Sequence, residues 1–289
     1  GGEPLLRADL GRIAEFISSK GVEPLLISNG ALLSRERVAE CRRAGIRSFE
    51  VSLHGAKPEV HDRLAGRAGS FEEAIDAIIN VKSAGGGVST VFVGTKDNIH
   101  AFREYVELCA LLRVDGILFN RVACGGTCVA GWEDLAPPPN DIVRALETGV
   151  PVAEKYRIGL SVGVQIQPCL VDVGMFANVA TGFCPLNDPS SDNSYFAIDP
   201  AGNLRMCNRS RIILGSLLRE RFERLAESPA VDEFCAATPA FCAGCALERS
   251  CAGGCKADAY SRYGSLAMPD PYLERHRAEA RKIPPKEAV

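Results

Sequence analysis

No run of lysine and arginine stands out in this 289-residue chain of formal net charge −3, so it lacks the basic footprint that dominates nucleic-acid affinity. Its longest apolar runs are broken by glycine or charge well short of the roughly 20 residues needed to cross a bilayer. That excludes a membrane-spanning helix from the sequence as given. Neither G-x-G-x-x-G nor a P-loop occurs, and with them goes the usual cradle for nucleotide phosphates. With 46% hydrophobic and 24% charged residues the composition is that of a folded globular protein. The length fits one large domain with a small one appended.

Thiols are present in quantity. The twelve cysteines fall below the roughly 8–10% that marks a disulfide scaffold, and a core of this size needs no staples. Seven of them lie between Cys184 and Cys255, a crowding that points to metal binding in a reducing compartment, read here as the cytosol. The tightest group, Cys242, Cys245, Cys251 and Cys255, is spaced C-x2-C-x5-C-x3-C. Such a group suits zinc or an iron–sulfur cluster, and spacing alone leaves both open. Cys41 and Cys109 fall on apolar helix faces and read as core.

From residue 7 to about 120 amphipathic helices alternate with short apolar strands. "PLLIS", "IRSFEVSL", "VSTVFVG" and "GILFNRV" are the strands, with helix caps expected at Ser34 and Ser70. The series predicts a parallel sheet with right-handed crossovers, either a barrel or a doubly wound sheet, whose chemistry belongs at the carboxyl ends of the strands. "LAPPPN" interrupts the pattern, and beyond "IGLSVGVQI" the chain turns rich in cysteine and loops. Within that stretch "NSYFAIDPAGNLRMC" reads as a hairpin. The expected domains are 1–165 and 166–289.

"GGEP" at residues 1–4, "SNG" at 28–30, "SLHG" followed by "HDRLAG" at 52–66, and the four-cysteine run preceded by Cys184 and by Gly202-x4-Cys207 together resemble a radical S-adenosylmethionine (SAM) enzyme with a C-terminal SPASM domain. The resemblance implies an α/β fold, a partial (β/α)6 TIM-like barrel lacking here its first βα unit, followed by a small Cys-rich domain. It implies SAM and [4Fe–4S] clusters as cofactors, and a 5′-deoxyadenosyl radical that abstracts a substrate hydrogen. By position, Glu3 accepts the SAM ammonium and Gly1 and Gly2 let the backbone approach. Ser28, Asn29, Ser52 and His54 line the methionine and ribose side. In the family pattern Cys184, Cys207 and Cys255 hold one auxiliary cluster, and Cys242, Cys245 and Cys251 a second. Cys169 is the upstream candidate for the first cluster's remaining ligand. Leu273 stands where the second cluster's last thiol is expected, so either Cys235 replaces it or that cluster keeps an open iron; loss of cluster iron in Cys235→Ala but not in Asp270→Ala would support the replacement.

The chain departs from the pattern in places. C-x3-C-x2-C, which holds the SAM-binding cluster in the family, is absent from the sequence as given; the expectation is that it precedes "GGEP" and that these residues alone do not cleave SAM. Ala65 stands where relatives carry an arginine near the SAM carboxylate, which makes Arg63 or Arg67 the substitute. Asn208 occupies the place of an aspartate found in sulfatase-maturing relatives and argues against formylglycine formation. Cys124 and Cys128 are either substrate-facing or inert loop thiols. The leading expectation is an oxidoreductase or maturase of a ribosomally made peptide, served by an electron donor such as ferredoxin or flavodoxin. Radical chemistry on a small molecule such as a tetrapyrrole, and a non-catalytic protein holding iron–sulfur or zinc, are the alternatives.

Overall fold

The computed structural model describes residues 2–187 and 196–284. The chain divides into two compact units. The first comprises Gly1–Asn120, Asp141–Val162 and Phe176–Ala180, and the second Arg121–Asn140, Gly163–Met175 and Thr181–Val289. The division is therefore not a single cut near residue 165, because each unit borrows a segment from within the other's run.

Unit one is built on a six-stranded sheet in chain order: β1 (Leu25–Ser28), β2 (Ser48–Ser52), β3 (Gly87–Gly94), β4 (Gly116–Arg121), β5 (Gly159–Val162) and β6 (Val179–Ala180). The pairs β1–β2, β2–β3, β4–β5 and β5–β6 are parallel, an arrangement that requires crossover connections. The two-residue β6 was not anticipated from sequence; it is too short to carry a periodic pattern. Helices α1 (Leu10–Ser19), α2 (Arg35–Arg43), α3 (Pro58–Ala65), α4 (Ser70–Ser83), α5 (Phe102–Leu111) and α6 (Pro139–Tyr156) intervene. In α4 the buried residues Ala74, Ala77, Ile78 and Val81 recur at helical spacing. Gly30, at φ +89°, lies so close to this helix that a Cβ would come within 3.0 Å of the Ala74 Cα.

The caps show how the strand-end loops are stiffened. Ser34 caps α2 as expected, its Oγ accepting from the Arg37 amide at 3.2 Å. Ser70 does not cap α4; it is the first helical residue, and the cap comes from Asp62 of α3. That carboxylate accepts from the Gly69 and Phe71 amides at 2.7 and 2.8 Å and from the Ser70 hydroxyl at 2.8 Å. Behind the sheet Phe92, Phe102, Tyr105 and Phe119 pack at ring separations of 4.7–5.9 Å, and each such side chain contributes about 1.5–3 kcal/mol by leaving water. Tyr105, wholly buried, donates to Thr90 Oγ1 at 2.6 Å. β1 forms one edge of the sheet and turns Leu25 and Ile27 to solvent.

Unit two carries an antiparallel sheet of β7 (Ala197–Ile198), β8 (Asn203–Arg205) and β9 (Ile213–Ser216). The expected hairpin is its first two strands. Asp199 organises the turn: it accepts from the Ala201 and Asn203 amides, both at 3.0 Å, and from Arg205 Nε at 3.0 Å. Those bonds, the Asn203 amide's first, hold its carboxyl down at about 2. Helices α7 (Pro229–Ala236), α8 (Lys256–Tyr263) and α9 (Pro271–Arg275) complete the unit.

The interior of unit two is organised by charge. Arg121, with no exposed surface, donates to Asp270 Oδ2 and, at 3.0 Å, to the Gln165 carbonyl. Its guanidinium lies 5.0 Å from the Tyr272 ring centroid. Asp270 also accepts from the Cys255 and Tyr272 amides at 2.9 and 2.8 Å. Asp258 pairs with Arg209 and accepts from the Cys124 amide at 3.1 Å. The Asp270 carboxylate is thus buried and fully engaged. Removing it strands a buried guanidinium, and Asp270→Ala is expected to lower stability by about 3–5 kcal/mol in urea denaturation, while Arg103→Ala, which breaks an exposed pair with Glu107, shifts it by less than about 0.5 kcal/mol.

Candidate functional site

The carboxyl ends of β1, β2 and β3 gather the residues that the sequence marks. Glu3 precedes a short 3₁₀ turn, Pro4–Leu6. Its Oε1 accepts from the Leu5 amide at 3.2 Å and the Ser28 hydroxyl at 2.9 Å, and its Oε2 from the Asn29 amide at 2.9 Å. Ser28 Oγ in turn accepts from the Gly30 amide at 3.1 Å, and Asn29 Oδ1 from the Ala31 amide at 2.9 Å. The structure therefore brings Glu3, Ser28 and Asn29 into one hydrogen-bonded group at the end of β1. A carboxylate has about four acceptor positions, so Glu3 is pinned with capacity to spare on Oε2. A Cβ at Gly2 would meet no atom within 4 Å, and Gly1 lies outside the described residues.

One strand along, Ser52 ends β2, half-buried and in register with Val91. His54 follows, its amide donating to His61 Nδ1 at 3.0 Å and its ring stacked on His61 at 5.6 Å. Burial first, then the proximity of His61, pushes His54 down to about 4, so the imidazole is neutral, and its Nδ1 accepts from the Val93 amide at 3.4 Å. Asn98, which the sequence did not single out, ties this end together: its Nδ2 donates to the His54 and Val93 carbonyls at 2.8 and 2.9 Å. An Asn shortly after a strand-ending glycine was the available signal. Arg63 stands apart from this group in its bonding, exposed and paired with Asp97 at 3.5 Å. Arg67 pairs with Glu73 in the same exposed fashion.

In unit two eight of the ten thiols fall into two groups, Cys124 and Cys128 belonging to neither. Cys169, Cys242, Cys245 and Cys251 line one small cavity with Phe241 and Leu273. Burial is the main force on these thiols, pushing Cys169 up to about 11 and Cys251 up to about 12, and each is raised further by neighbouring thiols of this same group. Cys207 lies in a separate apolar cluster with Met206, Val231 and Phe234, against which Cys184, Cys235 and Cys255 pack. This allocation differs from the one expected, which put Cys169 with Cys184 and Cys235 with Cys242. The physical reason is local. A turn in which Leu170 and Val171 donate to the Gln167 carbonyl, together with a 2.9 Å bond from the Arg281 amide to the Cys169 carbonyl, fixes Cys169. Cys235 instead rides on α7, whose Val231 and Phe234 face the Cys207 cluster.

Among the described residues no three His, Cys, Asp or Glu side chains are gathered so as to hold a single metal ion. A tetrahedral zinc site would draw its sulfurs to about 3.8 Å from one another; here the thiols frame a cavity and an apolar cluster. Between the two groups runs Gln165, donating through Nε2 to the Cys251 carbonyl and Sγ at 3.0 and 3.1 Å and accepting through Oε1 from the Cys184 amide at 3.1 Å. Nearby Gln167 is wholly buried, and neither of its amide atoms has a partner in the chain; a Cβ on Gly254 would strike its Nε2 at 2.0 Å. Lys256, 2% exposed, donates to the Phe234 and Cys235 carbonyls, both at 2.7 Å. Two glutamines in an otherwise apolar segment, and a lysine directly after the last cysteine of the run, were signals the sequence reading passed over. Cys124 is buried, its thiol pushed up to about 11 chiefly by burial. Asn208 is exposed.

Residues 1–109 match the Radical SAM superfamily. PqqA peptide cyclase of Rhodopseudomonas palustris is 24% identical over 283 residues, 94% of this chain and 71% of that protein. An AdoMet-dependent heme synthase of Methanosarcina barkeri is 26% identical over 284 residues, 94% of this chain and 80% of that one. Among solved structures, Streptococcus suis SuiB bound to S-adenosylmethionine superposes with a TM-score of 0.68 at 14% identity, over 94% of this chain. The chain spans 64% of the length of SuiB. No described helix is long and apolar enough to cross a membrane. The strand-end carboxylate group of Glu3, Ser28 and Asn29 thus lies within the residues, 1–109, that match the Radical SAM superfamily.

Proposed function

We propose that this chain is part of a SAM-dependent radical oxidoreductase that matures a ribosomally made peptide, working in a reducing cytoplasm with an electron donor such as ferredoxin or flavodoxin. In this reading unit one is the partial (β/α)6 barrel and unit two a SPASM domain carrying auxiliary [4Fe–4S] clusters. The observation that carries it is the Glu3 carboxylate, pinned at the strand end by Ser28 and Asn29 inside the Radical SAM superfamily domain. The donor set fits the cofactor: an acceptor with spare capacity suits an ammonium group, and the neutral ring of His54 imposes no like charge on a sulfonium.

When bound, SAM and its reducing cluster supply the hydrogen-abstracting radical. This chain's own residues orient the cofactor. Glu3 would hold the ammonium, and Ser28 and Asn29 would keep that carboxylate from rotating. Ser52, His54 and the Asn98 clamp would shape the adjoining strand end, with Gly1 and Gly2 leaving room for the backbone to approach. Arg63 is the candidate for the SAM carboxylate, which requires it to leave Asp97. In unit two the thiols would ligate iron as thiolates, each releasing its proton on doing so.

A peptide substrate is favoured by the likeness to PqqA peptide cyclase along 94% of the chain and by the shared fold with SuiB, solved bound to its precursor peptide SuiA. The relation to AdoMet-dependent heme synthase, over the same share of the chain, supports a tetrapyrrole as the second reading. Anaerobic incubation of the enzyme from the complete reading frame with SAM, a reductant and either peptides encoded beside its gene or a porphyrin, followed by mass spectrometry, separates the two. A mass change in a peptide supports the first, decarboxylation of the porphyrin the second, and no SAM cleavage with either overturns the radical reading.

Two variants test the assignment of residues. Glu3→Gln is expected to weaken SAM binding to the cluster-loaded enzyme by roughly 10–100-fold in calorimetry, the worth of one charged hydrogen bond; an unchanged Kd removes Glu3 from the site. Gln165→Leu deletes the N–H donated to Cys251 Sγ. Hydrogen bonds to cluster sulfurs favour the reduced state, so the potential of the cluster held by Cys251 is expected to fall in redox titration, while iron content stays constant.

A further inference from the structure

We propose that Cys169 completes a four-thiolate set with Cys242, Cys245 and Cys251, and that Cys235 completes the other set with Cys184, Cys207 and Cys255. The proposal rests on the reading that the thiols of unit two hold iron–sulfur clusters, and it concerns which thiol belongs to which cluster.

One geometric observation supports the first set. All four thiols border one small cavity together with Phe241, Leu247 and Leu273, and only Lys282 brings a charge to its lining. Leu273 is 1% exposed, and its methyl groups ligate nothing. Three thiols of the run therefore lack a fourth donor there unless Cys169, on the same cavity, supplies it. Lys282 approaches this set as well, donating to the Ala243 carbonyl at 3.0 Å and lying near Cys242.

The second set is gathered on one apolar cluster beside a buried cation. Cys207 lies in that cluster, and Cys184, Cys235 and Cys255 pack against it. Lys256, 2% exposed, donates to the Phe234 and Cys235 carbonyls, both at 2.7 Å. A buried ammonium without a carboxylate is costly, and thiolates in this set would offset that cost. Each thiol gives up one proton on ligation, and the cations offset the resulting charge.

The test removes one set at a time from the chain reconstituted anaerobically with iron and sulfide. In Cys207→Ser/Cys255→Ser, adding Cys169→Ser is expected to change the EPR spectrum of the reduced cluster and lower its iron, whereas adding Cys235→Ser leaves both as they were. In Cys242→Ser/Cys245→Ser the roles reverse. The opposite pattern overturns the pairing, and so does a spectrum that neither substitution moves; both leave the cluster reading standing. An unsubstituted chain that takes up zinc and no iron overturns the cluster reading itself. Diamide oxidation of the metal-free, otherwise unaltered chain, with disulfides mapped by mass spectrometry, covers variants that fail to fold. Links from Cys169 to Cys242, Cys245 or Cys251 are expected, and links from Cys169 to Cys184, Cys207 or Cys255 overturn the proposal.

Discussion

The carboxylate of Asp270 is the point on which unit two turns. With no water to satisfy it, it accepts from a guanidinium and from two backbone amides, one of them that of Cys255. The Arg121 guanidinium that pairs with it is equally buried and also grips the carbonyl of Gln165, the residue whose amide reaches Cys251 and Cys184. One ion pair therefore fixes the backbone on both sides of the thiol-rich loop. A buried pair of this kind gives little net stability against an apolar substitute; its value lies in direction. It defines where the Cys251–Cys255 turn must run, and the left-handed Gly253 and Gly254 allow the chain to follow it.

Charge balance extends the same logic outward. Thiols pushed up by burial resist ionisation, and a cluster requires them ionised. In the proposed cluster reading, cations already in place would offset that charge. Lys256 donates to the Cys235 carbonyl, and Lys282 lines the cavity that Cys242 borders. Gln165 adds a neutral donor at the Cys251 sulfur. At the strand ends of unit one the problem is inverted, since there the fixed charge is the Glu3 carboxylate, and neutral donors from Ser28 and Asn29 hold it in place without cancelling it.

Much of unit one was legible because helix and strand periodicities alternate cleanly and their stops are glycines. The four strands before residue 122 fall where the apolar runs put them, and Ser34 caps its helix because a serine followed by a polar first turn has few other uses. The α4 cap was not legible: it comes from Asp62, eight residues before Ser70, a contact that exists only once α3 has folded back on α4. The strand-end group of Glu3, Ser28 and Asn29 was legible through the resemblance, and its hydrogen bonds were not. The thiols were legible as donors by their crowding. Their allocation was not, because spacing along the chain says nothing about which turn faces which cavity; Cys169 is placed by a bond to Arg281, far away in sequence.

That last point bears on how a thiol can migrate in sequence while a set keeps its size. Leu273 and Cys169 line the same cavity, so in the proposed pairing Cys169 supplies the donor that Leu273 does not. The requirement is geometric, four sulfurs around one space, and the backbone origin of each is free so long as its neighbours hold it. Here α9, begun by Asp270 as its cap, buries Leu273 as packing, and the Gln167 turn presents Cys169 instead. A single buried carboxylate thereby bonds both the loop that bears Cys255 and the helix that carries Leu273.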